Sequence, residues 1–372
     1  MNFDLNEDEE LLKALTERFV TDHYDNDRRR SYLGESAGFS ARNWAMLGEL
    51  GLIAGPLDVE SGGLDLDGTA IATVFEALGR GLVVEPLVES VLVAARLFAA
   101  TAGQPLREAW LPDLSSSSRR LALAHAEANG RSGRLWIETT ARLTADGVRL
   151  DGAKAFVAAG AGADGYIVSA RSASAANDGA GVGLYLVPAA AAGLSIRPWR
   201  WADGTLGVSL TFADVRVEPG HVLSGGVAEI ARVEVLANLA RCAEALGIME
   251  RLFADTLDYL KTREQFGARL GSFQAIQHRM VAQYAAIEQG RALLNLALVS
   301  WGTPDFDSAV QGARAFVSAT SVPLGHEMIQ FHGGMGITDE LPIGQGHKRL
   351  LVLSRWPDDP DAALDRFAGI AA

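Results

Sequence analysis

The chain has 372 residues, of which 48% are hydrophobic and 21% charged, so it can bury sizeable cores in two or three domains and has the balance of a globular protein. Its formal net charge of −13 argues against a nucleic-acid partner, although local arginines and backbone N–H groups can still hold an anionic cofactor. Cys242 is the single cysteine, which excludes an intrachain disulfide.

Residues 1–118 carry helical periodicity and are predicted to form an N-terminal helical domain. The acidic start, MNFDLNEDEELL, is unlike a signal peptide, and Asn6 with Glu9 gives a capping-box pattern. Further helices are predicted at 40–52, 68–79 and 86–102. The most apolar stretch, 82–100, contains charged residues and a proline, so we expect no membrane span and a cytoplasmic location.

The pattern changes near Ser115, and residues 119–220 are predicted to form a β domain of sandwich or barrel type. Short segments, several with alternating apolar and polar residues, are separated by Gly, Asp or Asn turns. The predicted strands are 121–126, 134–139, 147–150, 153–157, 165–170, 183–188, 195–198, 207–212 and 215–217.

Helical periodicity returns at about Gly226, and residues 221–372 are predicted to form a C-terminal helical domain. Apolar residues recur at three- and four-residue steps: Val235, Leu239, Cys242, Leu246, Met249 and Phe253. A second stripe is unusually small and predicts the close approach of another backbone or a flat ligand: Ala240, Ala243 and Gly247. The long helix should end near Gly267 and Gly271, with Ser272 as N-cap of the next one.

Glu244 is the carboxylate of most interest on the long helix, because its immediate neighbours are small or apolar. One interpretation is a solvated helix position paired with Arg241, although Arg before Glu is the less favourable order. The other is a general base, which requires partial desolvation of the carboxylate. Cys242 lies on the apolar stripe and is expected to be a buried, inert thiol.

Two long motifs carry a resemblance to a known family. TREQFGARLGSFQAIQHRM (262–280) and IQFHGGMGITDE (329–340) resemble the two signatures of the acyl-CoA dehydrogenase family, and the resemblance extends over nearly the whole chain. Within the family, the chain is most similar to the short subunits typified by pimeloyl-CoA dehydrogenase small chains. The resemblance implies an α+β multidomain fold: an N-terminal helical domain, a middle β domain and a C-terminal four-helix bundle.

The resemblance also implies a reaction and its partners. FAD would lie between the β domain and the bundle, and an acyl-CoA thioester would lose an α-proton to a base and a β-hydride to flavin N5, giving a trans-2-enoyl-CoA. Electrons would pass to an electron-transfer flavoprotein or a similar acceptor. The family implies a homo-oligomer (a dimer or tetramer), or a heterotetramer with a second acyl-CoA dehydrogenase subunit.

The position of the base is where the chain departs from the family pattern. A YEGT-like segment is not recognisable after Gly346, and Ala237 occupies the alternative position on the long helix. Short subunits of this type carry an AE-x-x-G pattern, which residues 243–247 match, so Glu244 is the expected base. We expect Asn238 and Arg241 on the same helix to contact the substrate.

The cofactor-binding residues implied by the family come from three places. The first motif supplies Arg263 for the FAD pyrophosphate, with Gln265, Phe266 and Gln274 packing on the dinucleotide. The second supplies Gln330, Gly333 and Gly334 for the ADP portion of a FAD held mainly by the neighbouring subunit. Without the family, the first segment is typical of a helix C-terminus with a glycine stop, and the second of a glycine cap.

The β domain supplies the third set: Glu127, Phe156 and Ala158. Glu127 aligns with the Glu of a TEPGAGSD-like loop that touches flavin and substrate. Phe156 replaces a stacking Trp over the isoalloxazine, the alternative being an apolar core position. Ala158 replaces a hydroxyl residue near flavin N5, so only its backbone N–H could serve there.

These departures leave other functions open. The chain could be a non-catalytic partner that completes the flavin site of a second subunit, or a flavin oxidase or monooxygenase on the same fold. No metal site is expected, because His278, His326 and His347 lack metal-ligand spacing. His332 is expected to be a packed residue.

Overall fold

The computed structural model describes residues 5–130 and 135–369, and their backbone contacts group into two compact units. The described parts of the first unit are residues 5–30, 67–83 and 238–369. Those of the second are residues 31–66, 84–130 and 135–237. The first unit is therefore assembled from helical segments that are far apart in the chain.

The helices are α1 (Glu7–His23), α2 (Asn26–Leu33), α3 (Ala41–Glu49), α4 (Gly68–Arg80), α5 (Arg96–Thr101), α6 (Gln104–Ser115), α7 (Val227–Thr262), α8 (Gln274–Val299), α9 (Phe306–His332), α10 (Pro342–Arg355) and α11 (Pro360–Phe367). A π-helical segment, Val88–Ala95, runs directly into α5. The predicted capping box is confirmed at the start of α1: the Asn6 side chain accepts from the Glu9 N–H, and the Glu9 carboxylate accepts from the Asn6 N–H. Among the described residues, no helix is both long and apolar enough to cross a bilayer.

The strands are β1 (Leu121–Ala124), β2 (Thr140–Thr144), β3 (Gly147–Ala158), β4 (Gly165–Arg171), β5 (Val182–Pro188), β6 (Leu194–Arg200), β7 (Leu206–Val217), β8 (Val222–Leu223), β9 (Glu264–Gln265) and β10 (Ala268–Arg269). The main sheet has the order β6-β7-β3-β2-β4-β5-β8, and β1 pairs with β4 in parallel. Strand β4 is buried along its whole length, and this includes the polar residues Ser169 and Arg171.

The strand predicted at 134–139 is wrong over its described part, because β2 begins only at Thr140. The backbone of the preceding residues finds other partners. Arg171 Nε donates to the Ile137 carbonyl at 3.0 Å, and Glu127 accepts from the Glu138 and Thr139 N–H groups at 2.6 and 3.1 Å. Side chains thus satisfy polar groups that a ladder would otherwise pair.

The predicted N-cap of α8 is wrong, whereas the small-residue stripe of α7 admits a close backbone, one of the two neighbours predicted for it. Ser272 does not cap α8, because that helix begins at Gln274 and the Ser272 hydroxyl donates to the Arg269 carbonyl. Along α7, the neighbour that approaches Gly247 is a backbone. A β-carbon added to Gly247 would lie 2.2 Å from the Glu76 carbonyl oxygen of α4.

The approach of α4 and α7 is reciprocal. A β-carbon added to Gly79 of α4 would lie 2.2 Å from the Glu244 carbonyl oxygen of α7. Close to this crossing, Arg80 Nη2 pairs with Glu250 at 2.7 Å, and Arg291 of α8 pairs with Glu250 as well. The crossing fixes the middle of α7, where Glu244 lies, against α4.

Gly247→Ala should therefore lower the free energy of unfolding by about 1–3 kcal/mol, as overpacking does, although alanine is normally the better helix former. Chemical denaturation monitored by circular dichroism measures the change. Gly220→Ala is the control, since a β-carbon at Gly220 meets no atom within 4 Å, and it should stay within about 0.5 kcal/mol of the parent. A Gly247→Ala protein as stable as the parent would contradict the close crossing.

Candidate functional site

The predicted site residues divide between the two units, which are described separately. Glu127, Phe156 and Ala158 belong to the second unit. The first unit contains the other predicted residues: Asn238, Arg241, Glu244, Arg263, Gln265, Phe266, Gln274, Gln330, Gly333 and Gly334.

Glu244 is buried and is held by Arg349 of α10. Arg349 Nε donates to Oε1 at 2.6 Å and Nη2 to Oε2 at 3.1 Å, with the two side chains 8% and 22% exposed. The interpretation of Glu244 as a solvated helix position is therefore wrong. A two-point contact between guanidinium and carboxylate is strong and directional, so it holds the Glu244 side chain against α10.

Asn238 and Arg241 lie together inside the first unit. Both are essentially inaccessible, and Arg241 Nη1 donates to Asn238 Oδ1 at 2.9 Å. The Asn238 amide nitrogen is buried without a hydrogen-bond partner in the described part of the chain. Burial raises the pKa of the adjacent Cys242 to about 11, against the opposing charges of Arg314 and Arg241. This thiol is therefore protonated at neutral pH, as expected for an inert cysteine.

The first motif forms an exposed hairpin after α7. Strands β9 and β10 pair around Phe266, which has a left-handed φ of 56° and is 92% exposed. Arg263, Gln265 and Gln274 are also exposed. The Arg263 guanidinium makes no ion pair within residues 5–130 and 135–369, so it is available to an anion.

The second motif lies beside the first because aromatic rings join the ends of two helices. His332, the last residue of α9, stacks on Tyr259 of α7 with ring centroids 4.4 Å apart and an interplanar angle of 22°. The His332 ring also bonds the Met328 carbonyl, and only 6% of the residue is exposed. Gly333 ends α9 with φ 58°, and Gln330 and Gly334 are exposed there.

In the second unit, Glu127 belongs to a buried polar cluster. Lys154 is fully buried and donates to Glu127 Oε1 at 2.7 Å, to Ser169 Oγ at 3.1 Å and to the His125 carbonyl at 3.0 Å. Thr139 Oγ1 donates to the same Glu127 oxygen at 2.7 Å. The geometry gives Glu127 a structural role, and its contact with FAD stays a prediction.

Glu127 and Lys154 each stabilise the charged form of the other. Burial raises the pKa of Glu127, but the charge and hydrogen bond of Lys154, with hydrogen bonds from Thr139 and the Glu138 N–H, bring it below its ordinary value. Burial lowers the pKa of Lys154 to about 8, opposed mainly by Glu127. Removal of either partner would leave a buried charge without compensation.

Phe156 and Ala158 both lie on β3 of the second unit, where Phe156 is exposed and Ala158 is buried. Phe156 is 42% exposed, so the interpretation as a core residue is wrong. Its ring contacts Trp199 and Trp201, with centroid distances of 5.9 and 6.5 Å. The two tryptophans were not identified from the sequence, although the W-x-W spacing is that of residues on one face of a strand. Arg349 was also missed, because no local pattern links it to Glu244.

The buried pair generates a prediction for stability. Glu127→Gln and Lys154→Met should each lower the free energy of unfolding by about 3–5 kcal/mol, whereas the double variant should lose much less than their sum. Urea denaturation of the four proteins measures the coupling. Additive losses would contradict the pairing.

The same pair predicts acid sensitivity. Because the folded-state pKa of Glu127 lies below its ordinary value of 4.5, the unfolded chain binds more protons between these two values. The stability contributed by the pair should be complete above about pH 4.5 and decline as the pH falls through the folded-state value. Unfolding curves across this range should show a steeper loss for the parent than for the double variant; equal pH dependence would contradict the assignment.

Three family models match successive parts of the chain: the acyl-CoA dehydrogenase N-terminal domain at residues 6–118, the middle domain at 122–216 and the C-terminal domain at 236–356. The chain is 27% identical to acyl-CoA dehydrogenase FadE27 of Mycobacterium tuberculosis, over 92% of this chain and 91% of that protein. It is 28% identical to human mitochondrial short-chain specific acyl-CoA dehydrogenase, over 83% and 77%.

A solved structure, the Tcur3481-Tcur3483 steroid ACAD G363A variant, is 29% identical with a TM-score of 0.86, covering 98% of this chain and 97% of its own. These matches confirm the predicted fold class, enzyme class and FAD dependence as family properties. The narrower resemblance to pimeloyl-CoA dehydrogenase small chains and the three domain boundaries stay predictions. The chain belongs to the acyl-CoA dehydrogenase family, whose members are FAD-dependent oxidoreductases.

Proposed function

We propose that the chain is the FAD-binding partner subunit of a heteromeric acyl-CoA dehydrogenase. It has no catalytic base of its own, and a second subunit supplies the base. The observation that carries this proposal is the pairing of Glu244 with Arg349, which engages both carboxylate oxygens at 2.6 and 3.1 Å. Each oxygen keeps a second lone pair, but the two charge-assisted hydrogen bonds hold the carboxylate toward Arg349, so it is not free to turn toward an α-proton.

Two further features support a partner role. Ala237 occupies the family's alternative base position, and the segment after Gly346 lacks the YEGT pattern. The Tcur3481-Tcur3483 steroid ACAD carries a name that joins two components. The second subunit would then supply the carboxylate that acts as the catalytic base. A homo-oligomer of this chain would have no such base.

Each of the two units carries residues that suit a part of FAD. The exposed Phe156 ring provides a flat apolar face for an isoalloxazine, and the exposed Arg263 guanidinium suits a diphosphate. We assign the rest of the dinucleotide to an exposed surface. This surface is formed by Gln265, Phe266, Gln274, Gln330, Gly333 and Gly334. When bound, FAD takes up the hydride from the acyl β-carbon; an electron-transfer flavoprotein or similar acceptor would then reoxidise it.

A second candidate function keeps Glu244 as the base of an acyl-CoA dehydrogenase that is complete by itself. The observation in its favour is burial: the carboxylate is 8% exposed on α7, among small apolar neighbours. In that case an acyl-CoA thioester would have to displace Arg349 before Glu244 could accept the α-proton. The substrate contacts predicted for Asn238 and Arg241, about two turns and one turn before Glu244, would likewise require these buried side chains to become accessible.

The discriminating experiment is anaerobic bleaching of the flavin by a panel of acyl-CoAs. The protein is tested alone and together with an acyl-CoA dehydrogenase subunit from its genomic neighbourhood. We expect a yellow protein that bleaches only when the second subunit is present. Bleaching of the chain alone would contradict the partner role, and rapid reoxidation by oxygen would indicate an oxidase.

Glu244→Gln should leave the bleaching rate of the heteromer within about threefold of the parent, because the carboxylate is not the base. If Glu244 were the base, the rate should fall by about 10²–10⁴-fold. Asp258→Asn is the control on the same helix, since its side chain is 78% exposed.

The structural role of Glu244 predicts a separate effect. Glu244→Gln should lower the free energy of unfolding by about 1–3 kcal/mol, because Arg349 loses its ionic partner, and adding Arg349→Met should recover part of the loss. Urea denaturation measures both changes. Full stability of Glu244→Gln would contradict the anchoring role.

Arg263→Ala should weaken the retention of FAD, because a charge-assisted contact with the pyrophosphate is lost. The flavin-to-protein ratio after gel filtration measures retention. Arg269→Ala, which changes a 69% exposed arginine of the same hairpin, is the matched control and should keep the parent ratio. Unchanged flavin content in Arg263→Ala would place the pyrophosphate elsewhere.

A further inference from the structure

A β-bulge in β3 determines where the Phe156 ring points. Lys154 pairs with Leu210 of β7 and Val157 pairs with Val208, so Ala155 and Phe156 together oppose the single residue between them, Ser209. In a regular strand, residues two apart share a face, and Phe156 would follow the fully buried Lys154 into the interior. The extra residue re-aims the chain, and Phe156 emerges 42% exposed.

The bulge is held by hydrogen bonds on both sides. Ser209 Oγ donates to the Ala155 carbonyl at 3.0 Å, and the Ala155 N–H donates to the Ala126 carbonyl at 3.0 Å. Lys154, immediately before the bulge, is fixed by Glu127 at 2.7 Å. The N–H and C=O groups of Ala155 are therefore both hydrogen-bonded outside the β3–β7 ladder. These bonds stabilise the bulge and with it the exposed position of Phe156.

Two tryptophans surround the ring that the bulge presents. Trp199 meets Phe156 edge to face, with an interplanar angle of 88° and centroids 5.9 Å apart. Trp201 lies 6.5 Å from Phe156 and 4.6 Å from Trp199. Edge-to-face contacts of this kind restrict the orientation of a ring. We call Phe156, Trp199 and Trp201 the aromatic triad.

Gly207 makes room for the triad. The register places Ala158, Gly207 and Trp199 in one row across β3, β7 and β6. A β-carbon at Gly207 would lie 2.9 Å from Trp199 Cζ2 and 3.0 Å from Trp201 Nε1, so any side chain there would displace both indoles. The Trp199 N–H is buried without an acceptor in the described part of the chain, so among these residues ring packing positions this indole.

We propose that Trp199 and Trp201 are positioning residues that hold the Phe156 ring in the orientation required to stack on the isoalloxazine of FAD. The proposal rests on the proposed function, which assigns FAD to this chain. The phenyl ring has a smaller area than an indole. Contacts with Trp199 and Trp201 restrict its motion, so the Phe156 side chain loses less conformational freedom when FAD binds. The triad thereby replaces a single larger aromatic side chain.

The test uses full-length protein, with its partner subunit if FAD binding requires one, and the variants Trp199→Leu and Trp199→Phe. Trp199→Leu should weaken FAD binding by about 2- to 12-fold, the factor that corresponds to roughly 0.5–1.5 kcal/mol for one aromatic contact. It should also change the visible circular dichroism of the bound flavin, since a mobile Phe156 no longer packs on the isoalloxazine in one fixed geometry. Trp199→Phe keeps a ring edge and should recover most of both properties.

A matched control and a coupling measurement separate positioning from a general loss of structure. Ile196→Ala changes a 41% exposed residue of the same strand on the alternate face, and should leave FAD affinity and the visible circular dichroism of the flavin as in the parent. In a Phe156→Leu background, Trp199→Leu should have no further effect, because it acts through the ring already removed. The far-UV dichroism of the coupled Trp199 and Trp201 indoles, which needs no FAD, should change in Gly207→Ala, and FAD affinity should fall with it.

The outcomes are distinct. Unchanged FAD affinity and unchanged flavin circular dichroism in Trp199→Leu, or additive effects with Phe156→Leu, would overturn the positioning role while leaving FAD binding intact. A parent protein that binds no FAD, alone or with a second subunit, would overturn the proposed function and this inference together.

Discussion

The contact between Glu244 and Arg349 fixes what the long helix α7 can do. It joins two helices across the interior of the first unit through hydrogen bonds of 2.6 and 3.1 Å, with the carboxylate 8% exposed. A carboxylate at this depth needs such a partner, because burial of an uncompensated charge is costly. The same contact holds both carboxylate oxygens toward α10. The proposed partner role rests on this constraint, because the buried carboxylate of α7 is positioned by Arg349.

The second unit uses the same physical device for a different purpose. Lys154 and Glu127 form a buried pair at 2.7 Å that lies next to the bulge carrying Phe156, and Glu127 also binds the backbone of the irregular segment before β2. In both units a buried ion pair holds together parts of the chain that local structure leaves apart. Burial of a charged residue is therefore weak evidence of catalysis by itself, and the identity of the partner decides between anchoring and chemistry.

Features that depend on neighbours in the sequence were predictable. The Asn6 capping box, the helix from Gly68 and the order of helical, β and helical regions follow from spacing of three, four or two residues. Contacts between distant residues were not. Arg349 lies 105 positions from Glu244, and nothing in HKRLLVLSRW marks it as the partner. The strand predicted at 134–139 failed for a related reason: its backbone is satisfied by Glu127 and Arg171, which local alternation cannot reveal.

The position of Phe156 shows most clearly why the site could be recognised but not built from the sequence. Alternation alone would place it on the face of Lys154, and the family motif alone would assign it an exposed ring; the two conflict unless β3 contains an extra residue. The bulge between Lys154 and Val157 resolves the conflict, and it depends on Ser209 of another strand. Gly207 adds the space that both tryptophans require. The position of the Phe156 ring on β3 is thus specified by residues of three strands, β3, β6 and β7. The family motif contains Phe156, but no motif contains the other residues that position it.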